Sequence, residues 1–174
     1  MNADRFKHKE TTDIILKSFY EVYNELGNEF LESVVYENAL YIVLTGYGLC
    51  VERQKDISVF FRGTIIGDFK ADLIIYEKVI IEPKAARTLD PAHEAQLINY
   101  LKATNIEVGL LLNFGRNPEF KRFVYDNKRK KISVNLWLSR KSKILKTKTQ
   151  KENVENKIKK HRENKLPRSK AEEY

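Results

Sequence analysis

The chain has 174 residues, with 32 Lys and Arg against 24 Asp and Glu, a formal net charge of +8 and a pI near 9.4. That length supports one domain with a sizeable core, and the charge favours an anionic partner such as nucleic acid, although a basic tail alone gives the same balance. The single cysteine, Cys50, excludes an intramolecular disulfide framework and a cysteine-based zinc site; no apolar run approaches the ~18 residues of a membrane span, and residues 1–10 lack the apolar core of a signal peptide, so a cytoplasmic protein is expected.

Thr11 or Thr12 is a candidate cap for a first helix, in which Ile15, Phe19, Val22 and Leu26 form one face and Gly27 is the stop. A second helix is predicted from about Phe30 to Leu44. Leu31, Val34, Val35, Ile42 and Val43 give it a wide apolar surface, and Glu32 lies in its first turn. Strand signals follow at Leu49–Arg53, at Ile57–Phe61 before the turn Arg62-Gly63-Thr64, and at Ile65–Ile66.

Two short β-branched runs, Leu73–Tyr76 and Val79–Ile81, flank the charged pair Glu77-Lys78 and read as a buried β-hairpin. With a three-residue connection around Glu77, Asp72 falls opposite Glu82. Alternation along the strand then puts Glu82 and Lys84 on one face and Pro83 on the other. Asp90-Pro91 starts a helix that runs to Ala103, with a carboxylate cap and proline in the first position. Leu97, Ile98 and Leu101 form its buried side, and His93, Gln96 and Tyr100 a polar stripe beside it. Val108–Phe114 reads as a fully buried strand after a crossover helix, hence parallel to its partner. Phe120–Tyr125 is a short helix or strand, and Ile132–Leu138 an edge strand. Beyond Ser139 the composition turns to Lys, Arg, Glu and Asn. Residues 139–174 therefore form a basic tail, disordered or a solvent-exposed helix, able to grip phosphates without sequence preference.

Two carboxylates and an ammonium at one hairpin end are costly to bury unless they bind something. Asp72 and Glu82 are suitable oxygen ligands for a hard cation, with the backbone carbonyl of Pro83 as a third; Mg²⁺ fits best and Mn²⁺ substitutes for it. Lys84 would orient or deprotonate a water, or stabilise the phosphate under attack. The plain alternative is a solvated strand end carrying an ordinary Glu–Lys pair.

The arrangement D-x9-E-x-K resembles the PD-(D/E)XK nuclease superfamily, and the surrounding text is similar to its small GxxExxY branch. The stretches that carry the likeness are "ELGNEFLES", "YENAL", "GDFKADLIIYEKVIIEPKA", "HEAQLINYLKAT" and "VGLLLNFG", in family order over residues 25–115. The resemblance implies an α/β (α+β), restriction-endonuclease-like core over residues 1–138, with a mixed, largely antiparallel sheet flanked by helices. It implies a metal-dependent nuclease hydrolysing DNA phosphodiester bonds. Asp72 and Glu82 become metal ligands and Lys84 the catalytic lysine. Glu32 becomes the acid of the GxxExxY motif, catalytic or metal-binding, with dipole compensation at a helix start as its ordinary alternative. Gln96 contacts the water or a phosphate, and Tyr100, His93 and Lys102 contact substrate. Three departures stand out: Pro83 where the family has an aliphatic residue, Glu29 where it has a second glycine, and one extra residue between Glu32 and Tyr36. Pro83 feeds a rival reading, a nucleic-acid-binding protein on a scaffold that has lost cleavage. A further rival is an interaction module whose basic surface meets an acidic protein. Oligomeric state stays open.

Overall fold

The computed structural model describes residues 7–28 and 30–130. The apolar face Ile15, Phe19 and Val22 is buried on helix α1, Lys9–Leu26. The helix starts ahead of the expected threonine cap, with His8 as N-cap at φ 56. Thr12 lies inside it and donates its hydroxyl to Lys9 O at 2.8 Å. Bonding back onto the preceding turn satisfies the hydroxyl within a helix, so this threonine does not mark its start. Gly27 ends α1 as expected, at φ 64, and its N–H donates to Tyr23 O at 2.8 Å.

Helix α2 spans Ser33–Gly46 rather than starting near Phe30. The Tyr36 hydroxyl donates to Gly27 O at 3.1 Å and accepts from Phe30 N at 3.3 Å, which holds the approach non-helical. Glu32 is therefore the extended N-cap, with no side-chain cap bond. The helix also presents a different face from the one expected. Tyr36, Glu37, Leu40 and Leu44 are buried, whereas Leu31, Val34 and Ile42 are exposed.

The strand signals before the hairpin merge into two long antiparallel strands, β1 (Val51–Phe61) and β2 (Thr64–Ile75). Arg62 and Gly63, at φ 48 and 85, make the tight turn between them, where two positive φ values match the strand twist. Then come β3 (Val79–Lys84), α3 (Pro91–Ala103), β4 (Val108–Asn113) and β5 (Glu119–Val124), which resolves the helix-or-strand alternative as a strand. The five strands lie in the order β1-β2-β3-β4-β5. Only β3 and β4 are parallel, as the crossover through α3 requires. The expected edge strand at Ile132–Leu138, the boundary at 138 and the basic tail lie outside the described residues.

Side-chain alternation splits the core into two layers. Leu73, Ile75, Val79, Ile81, Leu110 and Leu112 pack beneath α1 and α2. Ile74, Ile80 and Leu111 pack on the other face against Leu97, Tyr100 and Leu101 of α3. The result is the expected mixed sheet flanked by helices. No helix among the described residues is long and apolar enough to cross a membrane.

Candidate active site

The β2–β3 hairpin has the expected register, Leu73↔Ile81, Ile74↔Ile80 and Ile75↔Val79, with Tyr76, Glu77 and Lys78 as its connection. Tyr76 and Glu77 take φ 51 and 54, and Lys78 N donates to Ile75 O at 2.8 Å. Asp72 and Glu82 are the next residue on each strand. Counting in twos from Ile74 and Ile80 puts Asp72, Glu82 and Lys84 on the face that α3 covers.

Beyond Ile81, strand β3 pairs with β4 alone, Pro83↔Leu112 and Lys84↔Asn113. The Lys84 carbonyl accepts from Phe114 N at 2.7 Å, so the polar backbone groups of Lys84 face β4. Those of Pro83 face the opposite edge, where β2 no longer pairs. The missing proline N–H breaks no ladder bond there, and the Pro83 carbonyl is directed to the Asp72 side.

Glu82 is 1% exposed. Lys84 Nζ donates to Glu82 Oε1 at 2.8 Å and to Gln96 Oε1 at 3.0 Å, and Gln96 Nε2 donates to Tyr100 OH at 2.6 Å. With both acids ionised, Glu82 Oε2 is buried without a hydrogen-bond donor. Burial above all, then the neighbouring Asp72 charge, pushes the Glu82 carboxyl up to about 7 against the pull of Lys84. Burial also raises Asp72, opposed by Lys84 and by a hydrogen bond from Gln54. Tyr100 is raised by its burial.

This donor set fits a divalent cation. It offers a buried carboxylate oxygen with no partner, a second carboxylate beside it and a carbonyl aimed at the same edge. Among the described residues no three His, Cys, Asp or Glu side chains converge to hold a metal by themselves. A cation held by these two carboxylates would need its other ligands from backbone, water or substrate.

The remaining expected site residues make no hydrogen bond or ion pair with Asp72, Glu82 or Lys84 among the described residues. Glu32 is exposed at the start of α2, with no side-chain cap bond. His93 completes the capping box of α3, its Nδ1 accepting from Asp90 N at 3.2 Å. Lys102 sits in the last turn of α3, with Nζ 5.9 Å from the centre of the Tyr125 ring.

Two residues of this region were not anticipated. Glu37 is 3% exposed. Its Oε2 accepts from Gln54 Nε2 at 2.7 Å and its Oε1 from Arg53 Nη2 at 3.3 Å. Gln54 Nε2 also reaches Asp72 Oδ1, at 3.3 Å. Burial first, and then the Asp72 charge, raises the Glu37 carboxyl. An acid on the stripe Tyr36, Leu40, Leu44 is a legible signal once the helix phase is known; Gln54 carries none. Asn113, also buried, supports the site from behind. Its Oδ1 accepts from Ala86 N at 3.0 Å and its Nδ2 donates to Ala86 O at 2.9 Å, tying down the chain after Lys84. Gly115 lets that loop come close, since a Cβ there would lie 2.2 Å from Ala86 O.

A family model of the PD-(D/E)XK nuclease superfamily matches residues 9–123. No curated protein gives a significant match. Among solved structures, the crystal structure of SSO0001 superposes with a TM-score of 0.44 at 21% identity, over 70% of this chain and 61% of that one. The chain thus spans less than two thirds of the length of that protein.

Proposed function

The chain belongs to the PD-(D/E)XK nuclease superfamily, and from that premise we propose that it hydrolyses DNA phosphodiester bonds with a divalent cation held by Asp72 and Glu82. Mg²⁺ is the proposed ion and Mn²⁺ its substitute, and the chain is assigned to the GxxExxY branch. The observation that carries this reading is the buried, donorless Glu82 Oε2 beside Asp72, on the face that also presents Lys84. A nuclease-like domain over residues 1–138 and a basic tail over 139–174 are proposed as its two parts.

The cation, when bound, supplies positive charge against the scissile phosphate and makes water a stronger nucleophile. The chain's own residues do the rest. Glu82 Oε1 and Gln96 Oε1 hold the Lys84 ammonium at 2.8 and 3.0 Å, so its third proton is aimed outward for a phosphate oxygen or the attacking water. Tyr100 OH fixes the Gln96 amide through the 2.6 Å bond, which keeps the Gln96 carbonyl turned to Lys84. Pro83 offers its carbonyl to the cation without needing an N–H.

The Pro83 departure favours one alternative, a scaffold that binds DNA without cutting it. Calorimetric titration with Mn²⁺ separates the readings, run on wild type and Asp72→Asn, alone and with a short DNA duplex, alongside a cleavage assay. Binding and cleavage in wild type, with cleavage reduced on the order of a thousandfold in the folded variant, is the expected result. Undiminished cleavage by Asp72→Asn sinks the assignment. Duplex binding without metal-dependent turnover selects the alternative.

A further inference from the structure

Strand β1 departs from extended geometry at one point beside the site. Arg53 pairs with Leu73 and Lys55 with Ala71, and between them Gln54 has φ 48. A left-handed conformation costs a non-glycine residue on the order of 1 kcal/mol, and glycine would hold it more cheaply. The reason for a glutamine lies in its side chain.

The Gln54 amide carries two hydrogens on one nitrogen, and Nε2 serves two carboxylates, Glu37 Oε2 at 2.7 Å and Asp72 Oδ1 at 3.3 Å. Both partners are acceptor-only when ionised, so the amide has one sensible orientation, nitrogen towards the acids. Glu37 is a firm anchor, because it is buried and its other oxygen accepts from Arg53. Asp72 is the opposite case. It is partly exposed, and its Oδ1 accepts from the Gln54 amide at 3.3 Å.

We infer that Gln54 is a positioning residue, which uses its anchorage on Glu37 to hold the Asp72 carboxylate turned towards Glu82. The inference rests on the reading of Asp72 and Glu82 as a cation site. It gives Glu37 the role of a brace rather than a ligand, both its oxygens being occupied by protein donors. The departure from strand geometry at Gln54 is what swings the side chain from the edge of the sheet to span the two acids.

The test uses Gln54→Gly, which removes the amide and relieves the backbone, the relief offsetting part of the loss of a donor to the buried Glu37 Oε2. The variant should still unfold cooperatively, with a melting temperature lowered by only a few degrees, while its Mn²⁺ affinity falls about tenfold to a hundredfold, the usual effect of removing a group that orients a ligand. A spectroscopic readout needs no metal. The Gln54 side-chain amide protons in the wild-type protein should resonate away from free glutamine, and both Glu37→Gln and Asp72→Asn should move them. Wild-type Mn²⁺ affinity in Gln54→Gly, or a free-like amide indifferent to both substitutions, overturns the inference. If wild type itself binds no Mn²⁺, with or without a short DNA duplex, the cation reading fails and the positioning role with it. An intact amide signature would then mark a bridge that serves stability alone.

Discussion

Strand β4 joins two clusters of charge that are built on opposite terms. At its start, the Lys7 ammonium pairs with Glu107, whose carboxylate also accepts from Asn127 N at 2.7 Å. Lys130 Nζ donates to Thr104 O at 2.7 Å and Ile106 O at 2.8 Å, and Asn127 Nδ2 to Asn105 O at 3.0 Å. The buried polar atom left over there is a neutral one, Asn127 Oδ1. At the other end of the sheet, Asp72 and Glu82 lie beside one ammonium, Lys84, and the buried Glu82 Oε2 is left without a hydrogen-bond partner. The first cluster clips the segment after β5 to the α3–β4 loop and is closed. The second leaves a buried carboxylate oxygen without a hydrogen-bond partner, which is costly in the absence of a ligand.

The contrast is broken most directly by removing one acid from each cluster. Glu107→Ala should lower stability by about 2 kcal/mol in urea unfolding, since it strands Lys7 and the Asn127 N–H, and should leave Mn²⁺ binding unchanged. Glu82→Gln should do the reverse. The metal-free protein should gain about 1 kcal/mol at pH 8, and Mn²⁺ binding should be lost. A Glu82→Gln variant that is markedly less stable would make the site an ordinary structural ion pair.

Asn113→Ala tests the support behind the site. It leaves Ala86 N and O without their partners, for an expected loss of about 2 kcal/mol by thermal or urea unfolding. A neutral outcome would mean that the loop after Lys84 is held by other contacts.

Two pH slopes of opposite sign are also expected. The Glu82 carboxyl titrates at about 7 in the folded protein, above its ordinary 4.5. Between these values the folded state holds more protons than the unfolded one. The stability it contributes is present in full below 4.5 and is lost as pH rises through 7, with a slope no steeper than on the order of 1 kcal/mol per pH unit. Lys130, lowered by burial to about 8 from 10.5, reverses the inequality, so stability rises with pH between those values. Urea unfolding across pH 5 to 10 should show both limbs. Glu82→Gln should flatten the first and Lys130→Met the second; slopes that survive these changes would assign the titrations elsewhere.

Local patterns in the chain were enough for the hairpin register, for the start of α3 at Asp90-Pro91 and for the parallel pairing of β4. Those features rest on residue types a few positions apart: β-branched runs about a three-residue turn, a proline in a first helical turn, a continuous apolar strand after a helix. The grouping of Asp72, Glu82 and Lys84 followed from them, because alternation along paired strands is local. Gln96 and Tyr100 are tied to that group by hydrogen bonds, Lys84 to Gln96 and Gln96 to Tyr100. Tertiary structure alone decided the rest. The phase of α2 was set by the Tyr36 hydroxyl reaching back to Gly27 and Phe30, which moved Glu32 out to solvent and Glu37 in. His93 was taken by the helix cap, and the separate strand signals from residue 49 to 75 fused because a partner strand satisfies the backbone whatever the local propensity. The Gln54 bridge joins residues 17 and 18 positions apart, on a helix and two strands. No periodicity in the chain records such a contact, since it comes into being only when the sheet and α2 are packed.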